Sequence, residues 1–401
     1  MKSKAFLLII LALTILNSFS GAQSFTNYTT ANGLPDDNVN GVAVDGNNVK
    51  WFGTQTGVAR FDGSNWSVFT TANGLIDNYI NCIAADANNH IWIGTDIGVS
   101  VYDGSSWTSY TTANGLVDNM ISYIAGSDDG SVWIGTNLGL SKFNSGSFTN
   151  YNSTNGLSYE MVSYIATQGT VVWLGTWLGG VFKFDGSTFT NFTMANGLPD
   201  NNISCIAIDD AGNKYIGTFA GIAKLNSSDV YVTTYTSAGG MFNNYVKDLA
   251  ITSDQDLWAG IYADYLQEGA ISFYNQSNWV NYKVADGLVN TMVKRVAIDA
   301  NDHLWVATGS GVSEFKPLTG IGEQAASGIS IYPNPATDVL HIDGISESSN
   351  VAVYNSCGKL VMAQNMSGQD GSIDISGNTP GIYVLKVMDN SSSFTAKLMI
   401  K

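Results

Sequence analysis

"TTANGL" occupies residues 29–34, 70–75 and 111–116, three identical copies spaced 41 residues apart. The series continues in looser form, with its glycine at Gly156, Gly197, Gly240 and Gly287. A second signal follows each copy: "WFGT" at 51, "WIGT" at 92 and 133, "WLGT" at 173, "YIGT" at 215, "WAGI" at 258 and "WVAT" at 305. Self-similarity at such a period marks an array of one supersecondary unit. In the second unit "YINCIAA" (79–85), "HIWIGT" (90–95), "GVSVYD" (98–103) and "WTSYT" (107–111) each alternate or run apolar, as short strands do. The glycine of "NGL" supplies the positive φ of a tight connection. Seven units of four strands predict an all-β, seven-bladed β-propeller.

The frame of the repeat predicts how the ring closes. The last unit ends at "GVSEFK" (311–316) without a fourth strand, while the chain opens with "SFTNYTT" (24–30), a fourth strand without a blade. The N-terminal strand is therefore expected to complete blade 7 and remove the open edges of a linear array.

Both ends of the chain carry further signals. Lys2 and Lys4 precede the apolar run Ala5 to Leu16, and Ser20-Gly21-Ala22 offers small residues for a signal peptidase. That run is too short to span a membrane. The expected organisation is a signal peptide at 1–22, the propeller at 23–318, a linker at 319–328 and a small β-sandwich at 329–401. A net charge of −16 opposes binding to nucleic acid or to an anionic membrane surface.

The stretch "ANGLPDNNISCIAIDDAGNKYIGTFAGIAKL" (195–225) resembles the two-component regulator propeller repeat, several of whose bearers sense oligosaccharides. The resemblance covers roughly residues 24–318 and speaks for fold more than function. The tail holds "IYPNPATDVLHI" (331–342), "VAVYNSCGKLV" (351–361) and "PGIYVLKV" (380–387). Their order resembles the type A C-terminal sorting domain of the type IX secretion system, carried here by Tyr332, Pro333, Asn334, Pro335, Gly358, Lys359, Gly381, Tyr383 and the terminal Lys401. That resemblance implies export across the outer membrane and partnership with the secretion machinery and a sortase-like cysteine protease. The mature protein is then released or attached to surface lipopolysaccharide.

The residue inventory argues against several chemistries. Only Arg60 and Arg295 are arginines, at different repeat positions, which removes a sialidase-type arginine cluster. His90 and His303 share one repeat position beside polar turns, which suits solvated turn residues better than a metal-dependent lyase. The turns "DGNN" (45–48), "DANN" (86–89), "DDAGN" (209–213) and "DAND" (299–302) lack the spaced ligands and closing Glu of a calcium loop, and turn chemistry accounts for them. Cys82 and Cys205 lie three blades apart, beyond disulfide reach. Asp248 and Arg295 share the Cys82 column in neighbouring blades, either pairing there or solvated separately. No catalytic residue, metal or cofactor is assigned.

A ligand site is expected where the repeat is broken. The loops between blades and between second and third strands share one face. There, blades 4, 5 and 6 carry Trp177, Phe219 and Tyr262 in place of small or polar residues. Blade 6 is widened by an insertion bearing Asp264, Tyr265 and Glu268, and blade 4 puts Tyr159-Glu160 into its inter-blade loop. Exposed aromatic rings beside carboxylates suit sugar faces and hydroxyls. The leading reading is a secreted or surface-attached, non-enzymatic binder of a glycan or protein ligand. The alternatives are a glycan lyase or glycosidase using Glu160, Asp264 and Glu268, and a structural or adhesive surface protein.

Overall fold

Each letter of the repeated hexapeptide serves the turn between blades. Thr70 caps a short 3-10 turn: Ala72 N–H donates to its Oγ1 at 3.3 Å, and its own N–H donates to Asn73 Oδ1 at 2.9 Å. Gly74 ends the turn at φ 113°, and a Cβ there would meet the Cβ of Trp107 at 3.2 Å. Leu75 is buried, and Asn78 Oδ1 receives the Thr71 N–H at 2.8 Å. Loop and core are thus specified by one short string.

The computed structural model describes residues 25–316, 329–345, 349–355, 360–368, 370–379, 381–388 and 393–400. The expected signal peptide, the linker, and Gly358, Lys359 and Lys401 lie outside them. Two compact units are present, one spanning Phe25–Phe315. It holds seven four-stranded antiparallel sheets, of which blade 2 is typical: Cys82–Ala85, Ile91–Gly94, Val99–Tyr102 and Trp107–Tyr110, paired in sequence order. Blade 7 takes Val293–Ile298, Leu304–Thr308 and Gly311–Phe315 from the end of the propeller and Phe25–Tyr28 from its start. The closing register runs from Phe25 opposite Phe315 to Tyr28 opposite Val312, as the repeat frame predicts.

The second repeated signal is read just as literally. Gly94 lets the inner strand of the next blade approach, since a Cβ there would lie 2.6 Å from Ile121 Cγ2. Thr95 Oγ1 donates to the Gly98 carbonyl at 2.8 Å and fixes the hairpin. The strand tryptophans pack between blades, and the indole N–H groups of three of them donate to turn aspartates six residues upstream. Trp51 meets Asp45 at 2.9 Å, Trp92 meets Asp86 at 2.9 Å and Trp305 meets Asp299 at 3.1 Å. Asp86 also accepts the Asn88 and His90 backbone N–H groups and lies 3.2 Å from His90 Nδ1. His303 Nδ1 is 3.0 Å from Glu314 Oε1. Cys82 and Cys205 are buried free thiols.

Blade 4 departs from this scheme. Its first hairpin is one residue shorter, with Ala166 opposite Trp173 where blade 2 sets Ala84 opposite Trp92. The turn brings no aspartate, and among the described residues the buried Trp173 indole N–H has no hydrogen-bond partner. Lys214 and Lys183 instead hold their ammonium groups 4.9 and 5.5 Å from its ring centroid, and both pair with Asp229.

The C-terminal unit stacks a three-stranded sheet (Ser330–Tyr332, Val339–Asp343, Asp370–Asp374) on a four-stranded one (Ser349–Asn355, Leu360–Met366, Gly381–Met388, Ser393–Ile400). Leu340, Ile342 and Ile373 of the first sheet share a core with Val351, Leu385 and Leu398 of the second. The sorting-motif residues act structurally here: Asn334 Oδ1 accepts the Met399 N–H at 2.8 Å, and the Tyr383 hydroxyl donates to the Thr379 carbonyl at 2.7 Å. Tyr332 donates to Asp343 Oδ2 at 2.8 Å and stacks on His341.

Candidate ligand-binding site

Seven residues, one per blade, face the propeller axis opposite the second-strand small residue: Gly41, Cys82, Tyr123, Tyr164, Cys205, Asp248 and Arg295. Three of them meet one another from blades 3, 4 and 7. Tyr123 and Tyr164 lie with ring centroids 4.0 Å apart, and the Arg295 guanidinium reaches from blade 7 to within 5.2 and 5.7 Å of those rings. Asp248 is buried and its charge and that of Arg295 act on each other, so the two are not solvated separately. Asp248 Oδ2 accepts the Val296 N–H at 3.0 Å, and among the described residues no ion pair joins it to Arg295, which stacks on the tyrosines instead. Burial raises the Asp248 carboxyl, against the pull of Arg295, and pushes the Cys82 thiol up to about 12.

One residue earlier sits a second ring: Asn40, Asn81, Ser122, Ser163, Ser204, Lys247 and Lys294. In every blade but the second, a register shift falls at this residue, the kind of irregularity that re-aims a side chain. All seven line a cavity of about 610 Å³ at one mouth of the channel. Its lining also includes Arg295 and a wall of Trp177, Phe219 and Tyr262.

The structure brings four of the eight residues expected from the sequence to this cavity: Trp177, Phe219, Tyr262 and Asp264. Trp177 is exposed and meets Phe219 edge to face at 5.5 Å. Phe219 stacks on Tyr245. Tyr262 is not an exposed ring: only 3% of it is accessible, because Lys247 lies over it and its hydroxyl donates to Gln267 Oε1 at 3.0 Å. Asp264 Oδ2 is 2.6 Å from Lys247 Nζ.

The other four expected residues do not line the cavity. Tyr265 is exposed and contacts Tyr245 at 5.1 Å, behind the Phe219 ring. Glu160 Oε1 accepts the Ser153 N–H at 2.7 Å, the tie that Asn78 makes in blade 2, and hydrogen bonds from the Ser153 side chain and then from this N–H hold its carboxyl low. Tyr159 packs over Gly179, where an added Cβ would lie 2.3 Å from the ring. Glu268 is exposed opposite Ala263 at the tip of the widened hairpin. Lys247, Lys294 and the serine and asparagine ring were not anticipated. Their signal was the column directly before Cys82, which reads N, N, S, S, S, K, K around the ring.

Fold and site together define a closed seven-bladed propeller with a polar and aromatic cup at one mouth. Residues 330–401 match the secretion system C-terminal sorting domain, and residues 74–96 match the two component regulator propeller. The chain thus combines regulator-propeller repeats with a type IX sorting tail, and that tail directs it to the cell surface or beyond. No curated protein matches it.

Among solved structures, the extracellular domain of a hybrid two component system of B. thetaiotaomicron is similar, with TM-score 0.62 and 19% identity over 93% of this chain and 54% of that one. PorZ, a surface component of the type-IX secretion system of Porphyromonas gingivalis, follows at TM-score 0.61 and 15% identity, over 92% of this chain and 60% of its own. Virginiamycin B lyase from Staphylococcus aureus gives 0.58 and 13%, over 73% of this chain and 99% of the enzyme. At these identities the likeness is one of fold. The chain spans little more than half the length of the first two.

Proposed function

We propose that the protein is an exported, non-enzymatic binding propeller whose cup takes an oligosaccharide. One observation carries this reading: a cavity of about 610 Å³ sets Trp177 and Phe219 on one side of a ring of asparagine, serine and lysine side chains. Flat apolar rings match the carbon-bound faces of a pyranose, and convergent donors and acceptors match its hydroxyls. Hydrolysis by paired carboxylates finds little support, since among the described residues Asp264 is the only acid in the cavity lining and is already paired with Lys247. The extracellular destination given by the tail puts the cup where glycans are met.

A glycan array probed with the full-length protein tests the reading. Trp177→Ala is expected to weaken the captured ligand at least tenfold, about 1.4 kcal/mol, with an unchanged melting temperature. Capture of no glycan, or binding indifferent to Trp177→Ala, sends the function elsewhere.

A further inference from the structure

The ring position at the channel mouth has a structural role in the first four blades. Asn40, Asn81, Ser122 and Ser163 each donate to a backbone carbonyl of the following blade, at 2.9, 3.0, 2.5 and 2.6 Å. Blades 6 and 7 place Lys247 and Lys294 there instead. An ammonium is a costly replacement for an amide or hydroxyl in a half-buried setting, because its charge must be desolvated. Burial accordingly lowers the proton affinity of Lys294, with Asp36 only partly opposing.

The two lysines differ in what answers their charge. Lys247 has Asp264. Lys294 donates to the amide oxygens of Asn38 and Asn40, the latter at 2.7 Å, and among the described residues no carboxylate lies within ion-pair distance. Two acceptors leave one of the three ammonium N–H groups without a partner among the described residues. Arg295 is the next residue and lines the same cavity. The chain as a whole carries 33 acidic against 17 basic residues, so three cations against the one carboxylate of Asp264 among the described lining residues reverse the sign of their surroundings.

We propose that the cup reads an acidic saccharide, its anionic substituent seated on Lys294 beside Lys247 and Arg295 and a sugar face against Trp177. This rests on the saccharide reading above and names its class. A carboxylate and a sulfate ester both present negative charge and acceptor oxygens to these cations.

Calorimetry on the full-length protein separates the two sources and tests the idea. Oligogalacturonate and oligoalginate supply carboxylates and carrageenan oligosaccharides supply sulfates, each measured beside its carboxyl-reduced or desulfated counterpart. At least one acidic form is expected to bind about tenfold tighter than its neutral counterpart, and to weaken as salt rises. In Lys294→Met that preference falls below about threefold, in Lys294→Arg it survives, and in Trp177→Ala acidic and neutral forms weaken alike. Lys247→Met provides a second, partial loss should Lys294→Met lower the melting temperature. Equal binding of acidic and neutral forms, still dependent on Trp177, overturns the charge proposal and leaves the saccharide reading standing. Failure of every acidic and neutral form to bind overturns both.

Discussion

The hydroxyl of Tyr28 donates to Glu314 Oε2 at 2.9 Å across 286 residues of sequence, while its ring stacks on Trp305 at 5.7 Å. One side chain of the first described strand thereby closes blade 7 by hydrogen bond and by ring contact, beside the register that pairs Tyr28 with Val312. Tyr28→Ala is expected to cost roughly 2–3 kcal/mol, less than a fully buried aromatic because the site is half-buried. Tyr28→Phe keeps the ring contacts and loses only the hydrogen bond, about 1 kcal/mol. Urea unfolding of both variants checks the order; equal losses would show that the ring contributes nothing to closure.

The tryptophans of blades 2 and 4 give a matched pair. Trp92→Phe removes an indole donor from the buried Asp86 carboxylate, whereas Trp173→Phe removes a donor that has no acceptor among the described residues. The first is expected to cost about 1 kcal/mol more than the second. Denaturant midpoints and slopes for the two variants decide it, and a costlier Trp173→Phe refutes the assignment.

Asp256 sets a pH dependence. Burial, reinforced by Asp254 and Asp302, raises its carboxyl to about 6. An unfolded Asp titrates near 4, so the folded chain holds this proton more tightly. The stability linked to it is complete below about pH 4 and is lost as pH rises through about 6. Asp256→Asn is expected to raise the melting temperature over the parent at about pH 7.5 and to give no advantage at about pH 4. A gain of the same size at both values would trace the effect to something other than this titration.

The sorting tail and the propeller are separate compact units. Deleting residues 330–401, the segment that matches the sorting domain, is expected to leave a folded propeller retained in the periplasm. Fractionation of cells expressing the truncated chain reads this out, and export at parental level contradicts it.

The propeller was legible because each repeated letter does one physical thing, whether cap, left-handed turn, core anchor or close approach. Closure was legible from the frame alone. The cup was half legible. Trp177, Phe219, Tyr262 and Asp264 stand out as departures from the repeat, but Glu160 is a departure that does the ordinary work of Asn78, with a longer side chain reaching the same backbone N–H. A break in a pattern does not distinguish a new function from an old one performed by another residue. Lys247 and Lys294 escaped notice although they stand directly before Asp248 and Arg295 in an aligned column: a lysine at the start of a strand reads as an ordinary solvated side chain, and only the closed ring turns that column into the lining of a cup. The Asp248 and Arg295 outcome escaped for another reason. Tyr123 and Tyr164 lie closer in space to the guanidinium than blade order suggests, because a ring brings opposite blades face to face.

That meeting of blades 3, 4 and 7 gives the molecule a floor. With Tyr123, Tyr164 and Arg295 filling the axle, the cup is a blind well rather than a bore. A long polymer cannot be strung through it like thread through a bead; only a free end or a short side branch reaches the bottom. Added chain length beyond the first few units brings no deeper contact, and every occupant leaves by the door through which it came.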